Sequence, residues 1–219
     1  MAVKDFMTEK VVYISPETTV AHAADLMREQ GLRRLPVIEH DKLVGLVTEG
    51  TLAEASPSKA TTLSIYEMNY LLNKTKVGDV MIKNVVTVEP YASLEDAIYL
   101  MMKHNVGVLP VTDGQYVVGI ITDKDVFKTF LEVSGYGEEG IRVRILTDNT
   151  VGVLEKVVKV ISDKGLNIRR NVLANRPSGK VVVEIQIDGD MDLDQLKADV
   201  EAQGVIVDSI ARTAAKAIS

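Results

Sequence analysis

Residues 117–126 read VVGIITDKDV, and residues 43–52 read LVGLVTEGTL. Each is an apolar run that closes on Gly-x-x-Thr. The pattern predicts a strand ending at the threonine and a helix opening there. Three residues past the threonine, one copy has Asp125 and the other has Thr51.

The likeness extends outward in both directions. Pro16 and Pro90, Pro36 and Pro110, Gly45 and Gly119, and Thr48 and Thr122 are each 74 residues apart. The register holds without a gap from Val3-x-Asp5-x-Met7 against Val77-x-Asp79-x-Met81 to Leu52 against Val126. A unit that occurs twice is no solenoid. Each unit starts with a short apolar piece, Val11–Ile14 or Val85–Val88. Thr19 or Ser93 then caps a helix whose apolar face is Val20, Ala23, Ala24 and Met27, or Leu94, Ala97, Ile98 and Met101. Strands follow at 35–38 and 43–47, or 109–111 and 117–121, separated by polar turns. The expected order is β-α-β-β-α twice, related by a pseudo-twofold. A unit of about 50 residues is too small to stand comfortably alone, so the two should bury each other's faces. A helix over 60–76, with Leu63, Tyr66, Tyr70 and Leu71 on one face, would connect them.

The pattern changes after Leu131. VSGYGEEG (133–140) has three glycines and no periodicity, as a linker would. A second domain then reads as strand (IRVRIL), turn (DNTVG, with Thr150 a candidate N-cap) and helix (Val153, Leu154, Val157, Val158, Ile161). Strands at 167–174 and 180–187, a helix at 193–203 and a strand at 205–211 follow. This β-α-β-β-α-β order is that of the split βαβ, ferredoxin-like arrangement. The expected fold is α/β (α+β) with boundaries 1–132 (first motif 1–56, second 77–132), 133–140, 141–212 and a tail at 213–219.

The net charge is −6 and the sequence pI about 5.2, which disfavours an electrostatic nucleic-acid binder. There is no cysteine, so disulfides and thiolate metal sites are excluded. No apolar run approaches the roughly 20 residues of a membrane span. A cytoplasmic protein is expected. His22, His40 and His104 lack ligand spacing and read as solvated. No nucleophile–base pair, Gly-x-Gly-x-x-Gly or P-loop is present. No catalytic or metal-binding residues are assigned, and no enzyme is expected.

Ligand-binding chemistry is more apparent. A helix N-terminus at Thr122 offers free N–H groups and partial positive charge, which suits a phosphate. The Thr122 hydroxyl and Lys124 ammonium could meet the same anion, and Asp125 could accept two hydroxyls of a ribose. The plainer reading is that Thr122 caps the helix and Asp125 favours its first turn. Arg33-Arg34, before a buried strand, are phosphate contacts or a solvated pair.

VxDxM, LPV and Gly-x-x-Thr-x-x-Asp together make residues 1–132 resemble a CBS-domain pair, a Bateman module. ILTDNTVGVLEKVVKVISDKGLNI resembles an ACT domain. The combination resembles acetoin utilisation accessory proteins of the AcuB type. The resemblance implies a regulatory sensor for AMP, ADP, ATP or S-adenosylmethionine, with no required cofactor. It implies a homodimer and an unknown regulated protein. The main cleft would use Met7, Val12, Leu32, Arg33, Arg34, Ile120, Thr122, Lys124 and Asp125. A second, weaker cleft would use Thr48, Gly50, Thr51, Met81, Val86, Val106, Gly107 and Val108. An amino-acid or dimer site of the ACT type would use Asp148, Asn149, Val151, Gly152, Val153 and Leu154, faced by Asn167 and Ile168. Alternatives are a dimeric scaffold whose sites have lapsed, an ACT domain that only dimerises, and an accessory factor in acetoin metabolism.

Overall fold

The computed structural model describes residues 1–55 and 64–217. Ser56, Leu63, the first residues of the expected connecting helix and the last two of the tail lie outside them. The chain divides into two compact units, Met1–Phe127 and Lys128–Ser219.

In the first unit, Thr19 caps α1 (Val20–Gln30) by accepting the His22 N–H at 3.2 Å, and Gly31 ends it with a φ of 64°. β1 (Arg34–Glu39) and β2 (Lys42–Thr48) form an antiparallel hairpin, followed by α2 (Glu49–Glu54). α3 (Ile65–Lys74) and α4 (Val77–Val80) lead to the second copy: α5 (Leu94–His104), β3 (Val108–Asp113), β4 (Tyr116–Thr122) and α6 (Asp123–Val133). The hairpins join into one sheet in the order β1-β2-β4-β3, where β2 meets β4 at Lys42 and Tyr116. Pro36 and Pro110 therefore sit on edge strands, where a residue without an N–H costs no ladder bond.

The repeat recurs in the backbone pairing. Arg34 pairs with Thr48 and Val108 with Thr122, and the irregularity between Val37 and Ile38 reappears between Val111 and Thr112. One expectation is corrected. Val11–Ile14 and Val85–Val88 are not strands. Each contributes a single parallel bridge, Ile14 to Val37 and Val88 to Val111. Ser15-Pro16 and Glu89-Pro90 follow at once, and proline's missing N–H stops the ladder.

The segments ahead of each motif are exchanged. Val3 is fully buried with Val88, Leu94, Ala97, Leu109 and Ile121 of the second motif, while Val77 is fully buried with Val20, Leu35, Val37 and Val47 of the first. Thr8 bridges to Ile120, and Ile82 to Leu46. This exchange accounts for the paired glycines. A Cβ on Gly119 would collide with the Met7 sulfur, and one on Gly45 with the Met81 sulfur.

The second unit runs β5 (Gly140–Asp148), α7 (Val153–Asp163), β6 (Asn167–Asn175), β7 (Lys180–Asp188), α8 (Leu193–Glu201) and β8 (Ile206–Thr213). Its sheet order is β6-β7-β5-β8, with antiparallel neighbours. Val143, Ile145, Val183, Ile185, Val157, Ile161, Leu196 and Val200 form its core. Thr150 does not cap α7. Gly152, with a φ of 83°, holds that position with no side-chain bond, because the turn needs a left-handed residue that glycine tolerates. The stretch between Val133 and Gly140 has no helix or strand, yet it is fastened. Arg142 donates to the carbonyls of Ser134 (3.3 Å) and Gly135 (3.1 Å), and Arg170 donates to Glu138.

Candidate functional site: a cleft at the start of helix α6

A cavity of about 570 Å³ opens in the first unit, a size that takes a drug-sized ligand. Its walls come from both motifs. Thr8, Lys10, Val11 and Val12 supply one side, and Gly31, Leu32, Arg33 and Arg34 the next. Val108 and Ile120 form the floor of the sheet. Thr122, Asp123, Lys124, Asp125 and Phe127 bring in the start of α6.

Of the nine residues expected in the main cleft, Val12, Leu32, Arg33, Arg34, Ile120, Thr122, Lys124 and Asp125 line this cavity. Met7 does not. It lies against Gly119, one residue from Ile120, and packs with the second motif's core. Its apolar side chain serves the core rather than the wall. Sequence reasoning missed Thr8, Lys10, Val11, Gly31, Asp123 and Phe127, and placed Val108 in the second cleft only. Phe127 lies four residues beyond Asp123, one helical turn on, so helix spacing puts these two on one face.

The start of α6 is tightly wired. The Thr122 N–H and hydroxyl both donate to Asp125 Oδ2, at 2.8 and 2.7 Å. The Asp125 N–H donates back to Thr122 Oγ1 at 3.4 Å. The capping reading of the motif is therefore real. It does not exhaust the carboxylate, which offers about four acceptor sites. The cap fixes the Asp125 rotamer and leaves an anion of known orientation at the cavity wall. Lys10, Arg33, Arg34 and Lys124 supply four cations against the carboxylates of Asp123 and Asp125. That charge balance favours a ligand carrying both phosphate and hydroxyls.

A 74-residue shift gives the counterpart region. Thr48 and Thr51 reproduce the reciprocal cap, with Thr48 N–H to Thr51 Oγ1 at 2.8 Å and Thr51 N–H to Thr48 Oγ1 at 3.1 Å. The Thr51 hydroxyl also donates to the Thr48 carbonyl at 3.0 Å. Gly50 stands where the main cleft has Lys124, Gly107 where it has Arg33, and Asn84 where it has Lys10. Val86, Val106, Gly107 and Val108 are at the positions equivalent to Val12, Leu32, Arg33 and Arg34. Val108 also lines the main cleft, and Met81 packs against Gly45 as Met7 does against Gly119.

The expected second-unit site is not assembled within one chain. Asp148, Asn149, Val151 and Gly152 follow the end of β5, and Val153 and Leu154 open α7. Val151 is fully exposed. Asn167 and Ile168 begin β6 at the other end of α7, whose 11 residues span about 16 Å. The pairing agrees: Asn167 lies beside Asp188, whereas Asp148 lies beside Lys180. The helix returns the chain before β6 starts, so these two residues do not face the turn of their own chain. Among the described residues no group of three or more His, Cys, Asp or Glu could hold a metal ion, and no helix is long and apolar enough to cross a membrane.

Comparison with known proteins follows the same lines. CBS domain-containing protein YhcV of Bacillus subtilis is 33% identical over 120 residues, 55% of this chain and 79% of that one. Other relatives are longer, and this chain spans from 21% to 52% of several of them. A crystal structure from Vibrio cholerae, assigned to acetoin utilization (AcuB), is 30% identical with a TM-score of 0.52, over 63% of this chain and 98% of that one. CBSX2, a CBS-pair protein of Arabidopsis thaliana, was solved in complex with AMP. It is 32% identical with a TM-score of 0.50, over 60% of this chain and 97% of that one. Residues 3–58 and 77–132, just over half of the chain, match the CBS domain. The chain belongs to the CBS domain family.

Proposed function

We propose that this chain is a non-catalytic regulatory sensor that binds an adenine nucleotide or adenosyl compound in the cleft at the start of α6. The observation that carries the reading is the meeting of four cations with a rotamer-fixed Asp125 around one 570 Å³ cavity. The cations and the α6 amides take phosphate, Asp125 takes the ribose diol, and Val11, Val12, Leu32 and Ile120 take the base. The AMP in CBSX2 supports this ligand class. AMP, ADP, ATP and S-adenosylmethionine are the ligands to try. Occupancy would shift the population of module arrangements and thereby control a partner protein.

The proposed boundaries are a tandem module at 1–132, a connection at 133–140, and an ACT-type domain at 141–212. The element order and sheet order of the second unit support that assignment. An amino acid at its Asp148–Leu154 turn would need Asn167 and Ile168 from a second copy. Tyr99 and Met102 on α5 and Phe127 on α6 are exposed apolar groups, which favours homodimerisation. Light scattering on the purified protein tests this, and a monomeric mass rules it out. The likeness to the Vibrio cholerae protein favours a role in acetoin metabolism. Growth on acetoin with and without the gene tests that role.

Equilibrium dialysis with AMP, ATP and S-adenosylmethionine tests the cleft. Asp125→Asn keeps an oxygen to accept the Thr122 bonds and removes the charge. Equal binding by wild type and variant would sink the assignment.

A further inference from the structure

The two halves of the first unit share a backbone but not a charge pattern, and one side chain marks where they diverge. Arg34 begins β1, and its counterpart 74 residues on is Val108. The Arg34 guanidinium reaches out of its own motif. Nη1 donates to the Gly107 carbonyl at 3.1 Å. A Cβ on Gly107 would lie 2.8 Å from Arg34 Nη2 and 2.6 Å from an Asp123 carboxylate oxygen. Gly107 is therefore covered from above by a cation and an anion. In the main cleft the equivalent wall position is Arg33, whose side chain is largely exposed and only distantly paired with Glu49, at 3.9 Å.

We propose that Arg34 is the residue that makes this a one-ligand module: it furnishes a phosphate contact in the main cleft while its guanidinium lies over Gly107 and closes the second. This rests on the nucleotide reading of the main cleft and goes beyond it by fixing the number of ligands and the residue that sets it. Two effects act together. The first is occupancy, since the guanidinium fills the space above the Gly107 backbone that a second ligand would need. The second is charge. An Asp123 carboxylate oxygen borders the same space above Gly107 and partly offsets the Arg34 charge there, and Asn84, Gly107, Val108 and Gly50 supply no cation. Restoring the missing acid alone therefore does not create a second site.

The test is AMP stoichiometry by isothermal titration calorimetry on the full chain, at concentrations up to about a thousandfold above the wild-type Kd, which still fills a site weakened a hundredfold. Wild type is expected to bind one equivalent. Gly50→Lys/Thr51→Asp gives the second cleft the main cleft's Lys and Asp, and a Cβ at Gly50 would meet only the Thr48 hydroxyl, at 3.5 Å. With Arg34 in place, this variant should still bind one equivalent. Adding Arg34→Val should release the second cleft and give two equivalents, with the main site weakened about ten- to hundredfold by loss of a charged contact. Two equivalents in wild type or in the double variant overturn the proposal, as does one equivalent in a folded triple variant. If the triple variant does not fold, the first two proteins still decide. No AMP bound by wild type overturns this inference and removes AMP from the proposed ligands, whereas two equivalents sink this inference alone.

Discussion

Thr122 with Asp125, and Thr48 with Thr51, perform the same structural task with different atoms. Both pairs tie the first turn of a helix into a reciprocal cap. A hydroxyl suffices for the cap. A carboxylate also caps, but it brings charge and more acceptor capacity than the cap consumes. The reciprocal cap alone therefore does not distinguish Asp125 from Thr51, and the proposed ligand accounts for an acid in only one copy. Helix length sharpens the contrast, since α6 has 11 residues and α2 has six.

Asp125→Asn should give the largest break in the symmetry. Nucleotide affinity is expected to fall about ten- to hundredfold, the cost of a charged hydrogen bond of ~1.5–3 kcal/mol. Dialysis checks this, while Thr51→Ala leaves the affinity unchanged.

Gly119→Ala and Gly45→Ala probe what the copies share. Each forces a methyl onto the sulfur of a partly buried methionine, so each should cost ~1–3 kcal/mol in chemical denaturation. A large cost at one glycine and none at the other would break the equivalence of the exchanged segments. Gly50→Ala would make only an ordinary contact with the Thr48 hydroxyl, at 3.5 Å, and should change stability in the other direction, by up to ~1 kcal/mol, because alanine is the better helix former. Thr48→Ala removes a cap and should cost ~1 kcal/mol, readable in the same denaturation curves.

The second unit provides the smallest effect. The Lys164 ammonium, helped by the Gln195 amide, holds the Asp199 carboxyl below the usual carboxylate range. A lowered native pKa contributes stability that is complete above the ordinary carboxylate value and is lost as pH falls through the native one. Asp199→Asn should slightly flatten the acid limb of a melting-temperature profile without altering nucleotide binding.

The hairpins and caps were legible because their signals are local. Period-two apolar runs, Thr19 and Ser93, and the glycine and threonine at the strand ends each specify their own neighbourhood. The repeat added long-range information, since two copies of a unit too small to fold alone must share a core. The exchange of segments was not legible. Val3 and Val77 are apolar in either motif, and only packing decides which hydrophobic surface each one fills. The family resemblance puts Met7 in the cleft, whereas packing uses it to fill the space above Gly119. Lys10 was missed because it precedes any periodic element. The opposite ends taken by Asn149 and Asn167 follow from α7 carrying the chain back along the sheet before β6 starts, which residue types alone do not show.

Because Val3 completes the second motif and Val77 the first, neither motif owns all of its own interior. A ribosome that has released the chain only as far as the first motif has made a motif still lacking its plug. The earliest residues cannot find their place until β4 has emerged more than 100 positions later. The module should therefore gain its stability in one late step, with little protection of either half beforehand, and cutting the chain between the motifs should leave two fragments that become ordered only when mixed.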